Sequence, residues 1–153
     1  MKLSTKGRYA MIALIDVAME SRERPVSLAA ISERQDISLA YLEQLFVKLR
    51  RAGIVRSIRG PNGGYELERS ADAIRVSDIL EAVDEGMNAT EKGKGASGAL
   101  TGSRAQSLSN RVWQSLSANV YVFLHQIRLS DVIENELIPC PAVPALYQIE
   151  GAE

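Results

Sequence analysis

Apolar residues recur every three or four positions along much of this chain, and such spacing predicts amphipathic helices. The clearest case spans residues 38–51. Its predicted buried stripe consists of Leu39, Leu42, Leu45, Phe46 and Leu49. The opposite face is polar without being uniformly charged, as expected of a surface that recognises a ligand, and carries Ala40, Tyr41, Glu43, Gln44, Val47, Lys48 and Arg51. Ser38 suits the N-cap, and Gly53 suits a left-handed residue just after the helix end.

Two further helices are predicted before this one. The first begins after Ser4 or Thr5 and runs to Glu20, and Gly7 near its start suggests a close backbone approach. Its predicted buried positions are Tyr9, Ile12, Ala13, Leu14, Val17 and Ala18. The second spans Leu28–Gln35, with Ser27 as its N-cap. A tight turn at residues 36–37 then leads into the third helix, which is the order of a helix-turn-helix motif.

A hairpin is predicted directly after these helices. Residues 54–59 are rich in β-branched side chains, residues 60–64 are a glycine-rich turn, and residues 65–68 form the returning strand. A hairpin in this place makes the motif a winged helix. Arg59 lies at the base of the wing tip, where it suits the negative potential of a narrow minor groove. The alternatives are a solvated hairpin and, with less support, a nucleotide-binding loop, although the Lys-Ser/Thr ending of a P-loop is missing.

The pattern changes beyond residue 75. A fourth helix is predicted with Ser77 as its N-cap and with buried positions at Ile79, Leu80 and Val83. Residues 86–103 are rich in Gly, Ser and Ala, so we expect a flexible loop there. A long helix is predicted over residues 104–126, and Ser130 is predicted to cap a short helix over residues 131–137.

The long helix carries more apolar residues than a small neighbouring core needs. Its stripe consists of Leu108, Val112, Leu116, Val120, Phe123 and Ile127. We predict that this stripe is a dimer interface; the alternative is that it packs wholly on its own domain. The predicted fold class is mainly α, a winged helix-turn-helix with a two-stranded wing plus a long C-terminal dimerisation helix. Its units are a winged-helix domain at 1–85, a loop at 86–103, a dimerisation unit at 104–138 and a tail at 139–153.

Charge and composition restrict the function. The net charge of −1 hides a basic first half, in which residues 1–69 hold 12 Lys or Arg against 8 Asp or Glu. The excess positive charge of that half suits binding to phosphates, and Lys6 and Arg8 add to it near the N-terminus. The alternative is that the charges are clustered by chance. The sequence has no apolar run long enough to span a membrane, and its N-terminus lacks the apolar core of a secretory signal peptide. We therefore expect a cytoplasmic protein that is not embedded in a membrane. No nucleophile–base pair, metal triad or cofactor loop supports an enzyme.

Five segments of the first half resemble one protein family. They are Lys6-Gly7-Arg8-Tyr9-Ala10, Ile31-Ser32-Glu33-Arg34-Gln35, Ile37-Ser38-Leu39, Tyr41-Leu42-Glu43-Gln44-Leu45-Phe46 and Arg59-Gly60-Pro61-Asn62-Gly63-Gly64-Tyr65. Together they resemble the IscR-type regulators, bacterial winged-helix transcription factors that control genes of iron–sulfur cluster assembly. The likeness is strong over about residues 1–90 and looser through the long helix.

The resemblance implies a homodimer that binds palindromic double-stranded DNA and regulates iron–sulfur or iron-responsive genes. The DNA contacts expected by position, or by place on the same surfaces, are Ser38, Ala40, Tyr41, Glu43, Gln44, Lys48, Arg59, Gly60, Pro61, Lys6 and Arg8. A Ser is common in the family at the position of Ala40, so one polar contact differs here. Gln44 can pair with an adenine edge, and Glu43 can accept from cytosine N4. The alternative function is a winged-helix protein-interaction module without sequence-specific DNA binding.

The family usually binds a 2Fe-2S cluster through three cysteines and a histidine just before the dimer helix. The matching segment here has neither, and Ser107 and Asn110 stand about where the last Cys and the His would be. Hydroxyl and amide groups are poor iron ligands. Three interpretations stay open. The protein is a regulator that naturally has no cluster, or it binds a cluster through unusual ligands such as Cys140 or His125, or its cluster ligands have been replaced by substitution to give a form without the cluster. An incidental cysteine and a surface histidine are the alternatives for those two residues.

Overall fold

The computed structural model describes residues 4–84 and 103–137. Its helices are α1 (Thr5–Glu20), α2 (Leu28–Gln35), α3 (Leu39–Arg51), α4 (Val76–Ala82), α5 (Arg104–Gln126) and α6 (Leu129–Ile133), with a 3-10 turn at Ala71–Ala73. The strands are β1 (Val55–Ile58) and β2 (Gly64–Leu67), which pair as a two-stranded antiparallel sheet. This architecture confirms the predicted winged helix with a long C-terminal helix. Nearly all of the predicted flexible loop, and the predicted tail, lie outside the described residues.

Local signals explain why α2 and α3 form a helix-turn-helix. The hydroxyl of Ser27 caps α2 by accepting the backbone N–H of Ala30 at 3.2 Å. Asp36 ends α2 in the left-handed conformation, with φ of 52°. At the end of α3, Gly53 is also left-handed, with φ of 69°. The N–H of Ile54 then bonds to the carbonyl of Leu49 at 3.0 Å, which completes a Schellman stop and confirms the predicted end of α3.

The core lies where α1, α2 and α3 meet β1, α4 and α6. Its largest fully buried side chains include Phe46, Leu14, Ile31, Leu42, Leu49, Ile54, Ile74, Ile79 and Leu129. Two residues predicted to be buried are not, because Ile12 is 39% exposed and Leu39 is 41% exposed. At 3.6 residues per turn, Ile12 lies roughly 160° around α1 from the centre of the buried face. Leu39 opens the first turn of α3, beyond the reach of the core.

One ion pair at the edge of this core joins α1 to α2. Asp16, only 5% exposed, accepts hydrogen bonds from Arg34 Nη2 at 2.6 Å and Nε at 3.0 Å, and from Gln35 Nε2 at 2.7 Å. Burial favours the neutral carboxyl, yet the hydrogen bonds from Arg34 and Gln35 and the charge of Arg34 outweigh it, so the pKa of Asp16 is lowered. Arg34 is 40% exposed, so its guanidinium is also solvated. The pair links α1 to the first helix of the helix-turn-helix.

The wing is attached at its base to the segment before α2. Tyr65 and Val26 exchange backbone hydrogen bonds of 2.7 and 2.9 Å. A Cβ added at Gly64 would lie 2.4 Å from the carbonyl oxygen of Val26, and one at Gly63 would lie 2.2 Å from that of Ile58. A larger residue at either position would collide with the chain's own backbone, so the structure requires glycine at both.

Two predicted N-caps are wrong. Arg75, not Ser77, precedes α4, and its N–H bonds to the carboxylate of Asp78 at 3.2 Å. Arg128, not Ser130, precedes α6, and its N–H bonds to Asp131 at 2.8 Å. In both cases an aspartate in the first turn takes the capping role that the sequence pattern assigned to serine.

Helix α5 is little covered by the other described elements. Within the described residues, none of its 23 residues is buried, and it packs principally against α4. Val112 is 60% exposed and Phe123 is 54% exposed. Leu108 and Leu116 are exposed as well, whereas Val120 is partly buried, and so is Ile127 just beyond the helix. The alternative that this stripe packs wholly on its own domain is therefore wrong for the single chain, and its role as a dimer interface stays a prediction.

Candidate nucleic-acid interface

The exposed side of α3 brings several predicted contact residues together. Ser38, Ala40, Glu43 and Gln44 are exposed on the first half of the helix, and Tyr41 beside them is partly buried; we call these five residues the recognition face. Opposite them, Leu42, Leu45, Phe46 and Leu49 are buried, which fixes how the helix is turned. Ser38 occupies the N-cap position, but its side chain makes no capping hydrogen bond, contrary to our prediction.

Tyr41 is held by an aromatic contact that the sequence did not indicate. Its ring meets that of Tyr9 edge to face, with centroids 5.7 Å apart and planes at 88°. The contact places the start of α1 beside the recognition face. Lys6 and Arg8 belong to that first part of α1, and both are exposed. Positive charge thus lies close to the side chains that α3 presents.

Lys48, one turn beyond the recognition face, has an acidic partner. Its ammonium donates a hydrogen bond to the carboxylate of Asp84, which follows α4 with a left-handed φ of 57°. That hydrogen bond, the charge of Lys48 and the charge of Lys6 together lower the pKa of Asp84. Sequence reasoning missed Asp84, because 36 residues separate it from Lys48 and no local pattern links them.

The wing tip presents one arginine and a narrow turn. Arg59, Gly60 and Pro61 are exposed, and Gly60 has φ of 124°, a conformation that side chains rarely adopt. The turn is closed by the N–H of Gly63, which donates to the carbonyl of Gly60 at 3.0 Å. Arg56 on β1 is instead paired with Glu66 at 2.5 Å. Among the described residues Arg59 has no ion pair, so its charge is available to a ligand.

Comparison with known proteins identifies the family. The Rrf2 family, described as iron-dependent transcriptional regulators, matches residues 3–135. The chain belongs to the Rrf2 family. It is 67% identical over 151 residues to the HTH-type transcriptional regulator IscR of Cereibacter sphaeroides, which covers 97% of both chains. It is 50% identical over 138 residues to the IscR of Erwinia tasmaniensis, covering 90% of this chain and 82% of that one.

Solved structures agree with this assignment of an Rrf2 regulator. The IscR of T. potens is 35% identical, with a TM-score of 0.64, and the likeness covers 96% of each chain. CymR, the global cysteine regulator of B. subtilis, is 33% identical with a TM-score of 0.74, covering 88% of this chain and 98% of that one. The predictions of an IscR-type regulator, of DNA binding and of a protein that is not an enzyme are confirmed.

The cluster that the resemblance implies does not fit the residues present at its usual position. Ser107 and Asn110 lie in the first two turns of α5, and neither offers a thiolate or an imidazole. Within the described ranges, no three His, Cys, Asp or Glu side chains are grouped closely enough to bind a metal ion. His125 is bonded through Nδ1 to Ser77 at 3.0 Å, and Cys140 lies outside the described residues. We derive no function through a cluster.

None of the helices in residues 4–84 and 103–137 combines the length and apolar character needed to span a bilayer.

Proposed function

We propose that this Rrf2 regulator acts in the cytoplasm as a homodimer on a palindromic operator, with α3 in the major groove and the wing in the minor groove. The observation that carries the proposal is the division of α3. One side is buried from Leu42 to Leu49, and the other presents the recognition face at the N-terminal half of the helix. That half is the part of a recognition helix that contacts base edges.

Each expected contact has a chemical role. Gln44 can form a bidentate pair with an adenine, and Glu43 can accept from the amino group of cytosine. The hydroxyls of Ser38 and Tyr41 suit phosphates, which position the protein rather than specify the sequence. Ala40 offers only a methyl group, which suits the methyl of a thymine.

The remaining contacts come from the wing and from α1. Arg59, with no ion pair among the described residues, suits the minor groove, while Gly60 and Pro61 bring the tip close to the DNA backbone. Lys6 and Arg8 add phosphate contacts.

The homodimer is supported by the exposed stripe of α5. Burying residues such as Val112 and Phe123 against the same residues of a second copy would remove apolar surface from water, and a two-fold axis there would match a palindrome. We expect Val112→Asp to shift the chain to monomer in light scattering. Gln114→Asp, on the opposite side of α5, is the matched control and should leave the dimer intact. A monomeric wild type would contradict this part of the proposal.

The DNA contacts are tested on a duplex that the wild type selects from a random library. We expect Gln44→Ala and Arg59→Ala each to weaken binding by about 1–3 kcal/mol, with Gln44→Ala also relaxing the preference for one base pair. Gln114→Ala and Arg111→Ala on α5 are the controls for an exposed glutamine and arginine. Binding should also fall steeply between about 50 and 200 mM salt, as phosphate contacts require. Unchanged affinity in both contact variants would refute the assignment.

A further inference from the structure

The junction between α4 and the end of α5 is built from directional polar contacts. The N–H of Val76 donates to the carbonyl of Ile127 at 2.9 Å, and the N–H of Leu129 donates to the carbonyl of Ile74 at 2.9 Å. These two bonds form a short antiparallel bridge around Arg75 and Arg128. Leu129 is fully buried in the core. The chain just beyond α5 is therefore anchored to the winged-helix unit.

A buried serine adds a side-chain contact to this bridge. Ser77 is 1% exposed, and its hydroxyl lies 3.0 Å from Nδ1 of His125. The histidine ring stacks on Tyr121, one turn earlier in α5, with centroids 5.5 Å apart and planes at 16°. A buried hydroxyl without a partner is costly, so this bond holds the end of α5 in one orientation on α4.

A guanidinium completes the junction. Arg75 Nη1 donates to the backbone carbonyl of His125 at 2.6 Å. That carbonyl belongs to the last turn of α5, where backbone acceptors lack partners within the helix. Arg75, which directly precedes α4, thus holds the C-terminal end of α5. Arg75, Ser77 and His125 are called the α4–α5 joint below.

No described residue of α5 is fully buried, so the direction of the helix depends on the contacts at its C-terminal end. Among the described elements α5 packs principally against α4, and α4 packs in turn against α3 and α1. The contacts that α5 makes with α4 therefore set the angle between α5 and the recognition face. We propose that the α4–α5 joint consists of positioning residues that set the separation of the two recognition faces and hence the half-site spacing of the operator. This rests on the proposed function of α5 as the dimer helix.

The geometry makes spacing sensitive to the joint. Helix α5 has 23 residues and so is about 35 Å long. A tilt of about 10° at one end displaces the other by about 6 Å, which exceeds the rise of about 3.4 Å per base pair. Loss of one directional bond at the joint should therefore weaken the discrimination between operators whose half-site spacing differs by one base pair.

The first test uses the duplex selected by the wild type and four relatives in which one or two base pairs are inserted or removed between the half-sites. The wild type should discriminate against a one-base-pair change by at least about ten-fold. Ser77→Ala and His125→Phe should reduce that discrimination to about three-fold or less, while light scattering still shows a dimer. His125→Asn keeps a polar atom near the place of Nδ1 and should preserve the wild-type profile. Unchanged spacing profiles in both disruptive variants would overturn the proposal.

The second test needs neither DNA nor a dimer. Spin labels are placed on Asn62→Cys in the wing and Arg111→Cys in α5 of a Cys140→Ala protein, diluted with unlabelled chain so that distances within one chain dominate. The wild-type joint should give a narrow distance distribution. Ser77→Ala and His125→Phe should broaden it at least about two-fold, with unchanged circular dichroism. An unchanged width of the distance distribution would refute the positioning role of the joint, even if the protein binds DNA as proposed. A broadened width would support that role, even if the wild type selects no palindrome.

Discussion

Replacing Asp84 by Asn should strengthen DNA binding. The carboxylate of Asp84 accepts a hydrogen bond from Lys48 on α3, and the charge of Lys6 on α1 also stabilises it. Both lysines are on the side of the molecule that we expect to meet DNA. A carboxylate in this place competes with phosphates for one ammonium and repels them directly. Asn keeps the size of the side chain and removes its charge.

Counterion release sets the size of the effect. Each phosphate neutralised by a lysine adds about 0.9 to the slope of the logarithm of affinity against the logarithm of salt. At about 0.1 M salt that contribution equals roughly eight-fold in affinity. The exposed ion pair between Lys48 and Asp84 is weak, so Lys48 can already leave Asp84 and bind a phosphate in the wild type. Part of the roughly eight-fold gain in affinity is therefore already present before the substitution. We therefore expect Asp84→Asn to bind about three- to eight-fold more tightly, with a slope steeper by up to about one.

Fluorescence anisotropy on the selected duplex, repeated from about 50 to 200 mM salt, measures both quantities. Asp72→Asn is the matched control, since Asp72 is an exposed aspartate whose hydrogen-bond partner is Ser70 and not a lysine of α3. The gain should be much smaller in a Lys48→Met background. An equal gain in that background would show that the carboxylate acts on DNA without Lys48, and weaker binding by Asp84→Asn would refute the reasoning altogether.

Two predictions concern stability. Asp16→Asn should lower the free energy of unfolding at pH 7 by about 1–3 kcal/mol, since it weakens charge-assisted hydrogen bonds with Arg34. The pKa of Asp16 is lowered in the folded state, so its contribution is present above its unfolded value of 3.8 and is lost as pH falls through the folded value. Urea unfolding at pH 7 and pH 3 should show a difference that shrinks in acid; a constant difference contradicts this. Gly64→Ala should cost about 2 kcal/mol by pushing on Val26, more than Gly53→Ala, where only the left-handed backbone resists; equal losses in thermal unfolding would refute the clash.

Most of the secondary structure was predictable because its signals are local. Ser27, Gly53 and the glycine-rich turn mark boundaries that the structure reproduces within about two residues. The same local logic failed at Ser77 and Ser130, because the aspartate one position on took the capping role in each case. A serine pattern cannot reveal which of two nearby polar residues bonds to the helix start.

The candidate site was predictable in composition but not in its partners. The polar residues on α3 follow from helical spacing, since the apolar stripe fixes the opposite face. The contacts of Asp16 with Arg34, of Ser77 with His125 and of Asp84 with Lys48 span 18, 48 and 36 residues. Such pairs carry no periodic or local sequence signal, and only the packing of α1 on α2, of α4 on α5 and of α3 on α4 brings them together.

Two of these long-range contacts link the α4 region to its neighbours, one to the recognition helix α3 and the other to α5, in physically different ways. The pair of Lys48 and Asp84 is exposed, so a phosphate can replace the carboxylate at little cost, and the contact suits a change on binding. The bond of Ser77 with His125 is partly buried and directional, and no solvent or phosphate group can readily replace it. A change in the first contact should therefore alter the salt slope and leave the spacing preference intact. A change in the second should alter the spacing preference and leave the slope intact, because the number of phosphates neutralised per half-site stays the same.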